Sequence, residues 1–282
     1  MLPLITTAEL AGLMDGSAKT RPVVLDVRWR LGGPPGLDAY KAGHLPRAVY
    51  VDLDTALAGV PGDGGRHPLP DPDSLQVDLR AAGVCAGRPV VVYDDADGSI
   101  AARAWWLLRW AGHREVAVVD GGFAGWSMDG LPTTQEVFEP EPGDIVVHPG
   151  GMPVLDAEEA ASLAREGVLL DARAHQRYAG EVEPIDPRAG HIPGALNAPF
   201  SAHLGTDGRW HRPEELAALF AELGVTADGP VGAYCGSGVT ASSVVLALEV
   251  AGHAMPAALY AGSWSQWSRD PRRPVATGPH AG

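Results

Sequence analysis

Cysteine is scarce in this chain of 282 residues: there are two, Cys85 and Cys235, far apart and in neither CxxC spacing nor a ligand cluster. That excludes a disulfide framework and a zinc ribbon, and it fits a reducing cytoplasm. Long apolar runs are absent too. No stretch reaches the roughly 18 apolar residues that a membrane-spanning helix needs. The opening MLPLITTAELAGLMDGS lacks a basic region before an apolar run and a small-residue cleavage pattern, so neither export nor a membrane partner is expected. Positive charge is short as well, with 21 Lys and Arg against 35 Asp and Glu and a formal net charge of −14. Such a chain repels a phosphate backbone unless a basic patch overrides the balance, and the Arg272-Arg273 pair in the proline-containing tail does not make one. No nucleic acid partner is expected.

What the chain has in quantity is turn formers, Gly 36 and Pro 25, beside 45% hydrophobic residues, which describes a folded rather than a disordered protein. The length admits two domains or one large one, and an internal repeat decides for two. VVLDVRWR, AYKAGHLPRAVYVDLD and VVVYDDADGSIAARAWWLLRWAGHREVAVVDGGFAGW are answered by VLLDARAHQRY, RAGHIPGALNAPF and VGAYCGSGVTASSVVLALEVAGHAMPAALYAGSWSQW. Asp26 corresponds to Asp171, His44 to His191, Tyr93 to Tyr234, His113 to His253 and Trp126 to Trp267, at near-constant spacing.

Each half alternates short buried strands with helices, so each is read as an α/β domain around a mainly parallel sheet. VVLDV, VVVYD and VAVVD are the strands of the first half; VLLDA, VGAYC and AALY are those of the second. Helices are expected over TAELAGLM, where Thr6 and Glu9 have capping-box spacing, and over IAARAWWLLRWAG, PEELAALFAELG and TASSVVLALEVAG. The first domain is placed at residues 1–135, a linker at 136–150, and the second domain with a short tail at 151–282. His44 and His191, each in a GH-x-P turn, occur in both halves and are read as scaffold. Trp105, Trp106 and Trp110 are read as helix packing.

The halves differ at one chemically telling position. Aligning Tyr93 with Tyr234 sets Asp94 opposite Cys235, so only the second half carries a thiol at that strand end. In open α/β sheets, sites gather beyond the carboxyl ends of strands. Cys235-Gly236-Ser237-Gly238-Val239-Thr240 then supplies a thiol, two permissive glycines and two hydroxyls before a helix begins. A loop of this kind turns successive N–H groups inward and favours an anionic sulfur. Cys85, with no glycine loop after it, is read as a structural cysteine. A cysteine phosphatase would need an arginine where Ala241 stands, and a redox pair would need a resolving cysteine nearby. An acyl-transfer hydrolase would need a histidine base, for which His67 and His191 remain open. Sulfur transfer fits best, because a nest of N–H groups stabilises an anionic persulfide without a basic partner.

From about Val23 to Trp267 the chain resembles the two-domain sulfurtransferases of the rhodanese and mercaptopyruvate sulfurtransferase family. The resemblance rests on the paired landmarks, DARAHQRY, GHIPGALNAPF, the CGSGVTA loop and AGSWSQW. It implies two tandem rhodanese-like domains, the first non-catalytic and the second catalytic, and a ping-pong cycle through a persulfide on Cys235. The sulfur goes to a thiol, a thioredoxin-like protein or cyanide, and neither a metal nor an organic cofactor is required. Thiosulfate enzymes of the family usually carry basic residues directly after the cysteine, whereas CGSGVT is characteristic of the mercaptopyruvate branch, so 3-mercaptopyruvate is the expected donor.

The resemblance also assigns roles. Arg177 matches the arginine that clamps the donor's carboxylate or sulfonate. Arg188 is the nearest candidate for a second clamp, although it does not occupy the matching position. Asp54, His67 and Ser237 match a relay that manages the proton of the departing enolate, with His67 as the acid-base member because imidazole titrates near neutrality. Trp29 matches a cleft-lining aromatic, and Ala261 stands where the family has an aspartate. Two other readings are thiosulfate sulfurtransferase chemistry by the same persulfide and, from a different class, a non-enzymatic rhodanese-like binding module.

Overall fold

In the computed structural model, which describes residues 1–17 and 20–282, the strands form two five-stranded sheets with the same strand order. The first holds β1 (Leu4–Ile5), β2 (Val23–Asp26), β3 (Val49–Tyr50), β4 (Val90–Tyr93) and β5 (Val116–Val119) in the order β1-β5-β4-β2-β3. The second holds β6 (Val154–Leu155), β7 (Val168–Asp171), β8 (Leu196–Asn197), β9 (Val231–Tyr234) and β10 (Ala258–Tyr260) in the order β6-β10-β9-β7-β8. All pairings are parallel, with Val24 opposite Val91 in one sheet and Leu170 opposite Ala233 in the other. The two tandem rhodanese-like α/β domains are therefore present as read. The central strands VVLD, VVVY and VAVV are buried along their whole length, as helix-covered parallel strands must be.

The expected helices form as well. Thr6 caps Thr7–Met14 in a reciprocal capping box with Glu9. Ser99–Trp110 buries Trp105, Trp106 and Trp110, and the last two rings stack with centroids 6.3 Å apart. Strands β1, β3, β6 and β8 lie outside the sequence reading because two residues cannot display a period. The helix Pro72–Ala81 also escaped it, although Asp71 caps it and Pro72 occupies its first turn.

By their internal contacts the residues fall into two units. The first comprises Met1–Gly59, Pro70–Gly151 and Thr206–Trp210, and the second comprises Val60–Leu69, Met152–Gly205 and His211–Gly282. Residues 136–150 form neither helix nor strand, but they are held on the first unit: Arg80 Nε donates to the Ile145 carbonyl at 2.7 Å and Ile145 N–H to the Val84 carbonyl at 3.2 Å. Residues 60–69 group with the second unit although they come from the first half of the chain. Arg66 N–H donates to Ser265 Oγ at 3.0 Å, and Gln266 Nε2 donates to the Asp63 carbonyl at 3.0 Å. Residues 206–210 make the reciprocal move, with Trp210 N–H donating to Asp120 Oδ1 at 2.9 Å in the first unit.

The repeated landmarks are structural in both units. Asp26 and Asp171 are wholly buried carboxylates, each paired at 2.6 Å with an arginine two residues on, Arg28 and Arg173. His44 stacks on Tyr40 and His191 on Tyr178, both at 3.8 Å, and each Nδ1 meets the carbonyl of its stacking partner at 2.8 Å. His191 thus belongs to the scaffold of its turn.

Candidate active site

The second unit assembles a site at the carboxyl end of β9. Tyr234 ends the strand, Cys235 follows, and the ten-residue helix Ala241–Val250 begins beyond the loop. The thiol is 1% exposed, and Gly238 N–H donates to its Sγ at 3.1 Å. That glycine is required on two counts. Its φ is +82°, and a Cβ there would stand 2.5 Å from the Ala261 carbonyl oxygen. A second anchor fixes the loop from below: Ser263 Oγ accepts the Cys235 N–H at 3.1 Å, while Trp264 and Ser265 donate their N–H groups to the Cys235 and Gly236 carbonyls at 2.9 and 2.8 Å.

Two groups of the sequence reading meet here. His67 Nδ1 lies 2.8 Å from Ser237 Oγ, with both residues buried, because residues 60–69 pack into this unit. Arg177 is present as well: a Cβ on Gly236 would sit 3.5 Å from its Nη1. The same point is 3.2 Å from Nη2 of Arg66, a residue absent from the sequence reading. The signal that could have found Arg66 is its place directly before His67 in GGRHPLP. Both guanidiniums are oriented by buried carboxylates. Arg177 Nη2 meets Glu183 at 2.6 Å and Asp186 at 3.2 Å, and Arg66 Nη1 meets Asp186 at 2.8 Å. Nε of Arg66 is buried without a hydrogen-bond partner among the described residues.

Arg188, weighed as a second clamp, has a different position. Its guanidinium donates to the carbonyls of Trp267, Ser268, Asp270 and Arg273 at 2.6–3.1 Å, so it fastens the carboxyl-terminal tail and leaves the second guanidinium at the loop to Arg66. Sequence spacing placed it near the site, but spacing says nothing of which way a side chain points. Asp54 and Trp29 belong to the first unit, where Trp29 Nε1 donates to Asp54 Oδ2 at 2.8 Å. Among the described residues no cluster of three or more His, Cys, Asp and Glu is arranged to hold a metal ion, and no helix is long and apolar enough to cross a membrane.

The first unit shows what the equivalent loop does without a thiol. The Asp94 carboxylate accepts the N–H groups of Ala96, Gly98, Ile100 and Ala101, each at 3.0 Å, and so fills its own nest. Burial pushes this carboxyl up to about 6, against the pull of those N–H donors. Between about pH 4 and 6 the folded state therefore holds a proton that the unfolded chain releases, and stability falls as pH rises through that window. Thermal melts from pH 4 to 7 are expected to show this decline in the parent and a smaller one in Asp94→Asn; parallel pH profiles would contradict it.

The rhodanese-like domain family matches residues 6–129 and 156–270, and the chain belongs to that family, as a two-domain sulfurtransferase of the rhodanese and mercaptopyruvate sulfurtransferase group. A Pseudomonas aeruginosa protein provisionally named 3-mercaptopyruvate sulfurtransferase is 47% identical, with 98% of each chain covered. A Mycobacterium tuberculosis protein with the provisional name thiosulfate sulfurtransferase SseB is 44% identical over 98% of this chain and 97% of that one. Among solved structures, the 3-mercaptopyruvate sulfurtransferase of Leishmania major has a TM-score of 0.82 at 30% identity, covering 96% of this chain and 75% of the other. SseA of Escherichia coli has 0.80 at 33%, covering 94% and 100%. The protein is thus an enzyme that moves sulfur by a persulfide relay, not a binding module.

Proposed function

We propose that the second domain takes sulfur from 3-mercaptopyruvate onto Cys235, releases pyruvate, and passes the sulfur to a thiol, a thioredoxin-like protein or cyanide. The Cys235 thiolate attacks the donor sulfur; the S–S bond forms as the C–S bond breaks, and its electron pair moves into the keto group to give the enolate of pyruvate. The enolate needs a proton, and the His67–Ser237 pair lies beside the loop to manage it. Arg177 and Arg66 hold the donor carboxylate through their planar forks. The first domain is non-catalytic in this reading, because Asp94 fills the nest where a nucleophile would be.

The observation that carries the proposal is the 2.8 Å contact between His67 and Ser237 in the Cys235 loop. Thiosulfate leaves as sulfite, which needs no proton, so the pair has work to do with mercaptopyruvate alone. Charge supports the same choice. Arg66 and Arg177 are matched by Glu183 and Asp186, leaving little excess charge for a dianion. The two guanidiniums are the one feature that favours thiosulfate, in line with the name of the mycobacterial relative.

His67→Gln separates the donors. Its loading of Cys235 from mercaptopyruvate is expected to fall by about 10²-fold or more, the usual scale of lost acid–base catalysis. Loading from thiosulfate should change only a few-fold. Equal losses with both donors, followed by intact mass against time, would remove the proton-relay assignment.

A further inference from the structure

We propose that Arg21, Arg47 and Arg88 form a binding site in the first unit for a phosphate-type dianion that carries a small ring, separate from the sulfur-transfer chemistry. They line a cavity of about 370 Å³ with Val49, Phe138 and Cys85. Val23 and Val49 begin β2 and β3, and Arg88 lies two residues before the start of β4, so the cavity sits at the amino ends of these strands. The Asp94 loop leaves the opposite end of the same sheet.

The guanidiniums here are held differently from those around the buried carboxylates and the Cys235 loop. Arg28, Arg66, Arg173 and Arg177 are each paired with a carboxylate. Arg21 instead donates through Nε and Nη2 to the carbonyls of Met14 and Gly16 at 2.7 and 2.8 Å. Arg88 donates through Nε and Nη2 to the Arg21 carbonyl at 3.2 and 2.9 Å. Neutral carbonyls orient these two groups without offsetting their charge, and Nη1 of each has no protein acceptor among the described residues. Among the described residues Arg47 makes no ion pair, and it lies over the Phe138 ring at 4.1 Å. Glu139 and Glu141 also line the cavity, but both are exposed and neither makes an ion pair with any of the three.

Unrelieved repulsion marks the cluster. Arg47 is held below the usual guanidinium range by burial and by the charges of Arg21 and Arg88. It also adopts φ +63°, a left-handed conformation that a long side chain rarely takes and that clusters at ligand sites. In a chain of net charge −14, three cations facing one cavity, none of them in an ion pair among the described residues, are a charge pattern that a dianion relieves. Forked N–H donors suit a tetrahedral oxyanion, and Phe138 with Val49 gives a ring an apolar wall.

Phenyl phosphate is the probe, titrated calorimetrically into the full-length protein, with inorganic phosphate and phenol as the other arms. One saturable site for phenyl phosphate is expected, with weaker binding of inorganic phosphate and none of phenol. Arg47→Gln should weaken it about tenfold, the scale of one lost charge-assisted contact, while sulfur loading of Cys235 stays unchanged. Arg177→Gln should leave phenyl phosphate binding unaltered. Cys85 supplies a readout that needs no variant: the ligand should slow its alkylation, followed by peptide mass, and leave that of Cys235 unchanged. Absence of saturable binding, or binding lost in Arg177→Gln and kept in Arg47→Gln, would overturn the site. Equal affinity for phosphate and phenyl phosphate would overturn its ring-binding part.

Discussion

Cys235→Ser is expected to fold normally and to gain no sulfur from any donor. Serine is nearly the size of cysteine, and the main loop anchors are backbone groups and the Ser263 hydroxyl, none of which the substitution touches. What disappears is the polarizable sulfur that attacks a divalent sulfur and then carries it. Cys85 does not substitute for it, since its Sγ donates to the Gly83 carbonyl at 3.5 Å and no glycine-rich loop follows it. Intact mass after incubation with donor should show the parent one sulfur heavier and the variant unchanged, with sulfur transfer to cyanide undetectable. Turnover at the parent's rate would mean that the persulfide forms elsewhere.

Asp171→Ala is expected to give the largest loss of stability. Asp171 is fully buried at the end of β7 and receives Nε and Nη2 of Arg173, whose side chain is 2% exposed. Burial opposes the charge on Arg173, yet Asp171 outweighs that effect and raises its pKa above the usual guanidinium range. Without the carboxylate a buried cation is left facing Glu183 at 3.4 Å as its one remaining ion-pair partner among the described residues. Breaking a buried pair from one side costs about 3–5 kcal/mol, enough to lower the melting temperature by roughly 10 °C or more for a domain of this size. Replacing both partners with apolar residues should cost less, because no charge is left uncompensated. A single-variant shift of only a degree or two would show that Arg173 finds solvent or another acceptor.

The architecture was legible because the chain states it twice. A buried strand such as VVVY and its counterpart VGAY each support the other's assignment, and the capping residues Thr6 and Glu9 mark a helix start locally. The Asp94 and Cys235 difference was legible for the same reason, since a repeat turns one substitution into a contrast. Other features depended on three dimensions. Reading by halves put residues 60–69 in the first domain, but their hydrogen bonds tie them to the second, and they carry both His67 and Arg66 to the Cys235 loop. Arg66 escaped notice because its role comes from folding across the repeat boundary. Arg188 was overvalued because nearness in sequence cannot show that four carbonyls of the tail capture its guanidinium.

The central claim, that Cys235 takes its sulfur from 3-mercaptopyruvate, is tested most directly by loading kinetics on the unaltered protein. Reduced enzyme is mixed separately with 3-mercaptopyruvate and with thiosulfate, and the fraction one sulfur heavier is followed by intact mass, with the modified peptide mapped. Faster loading from 3-mercaptopyruvate, on the peptide that contains Cys235, is the predicted result. Faster loading from thiosulfate would contradict the donor assignment, and sulfur on any other peptide would contradict the site.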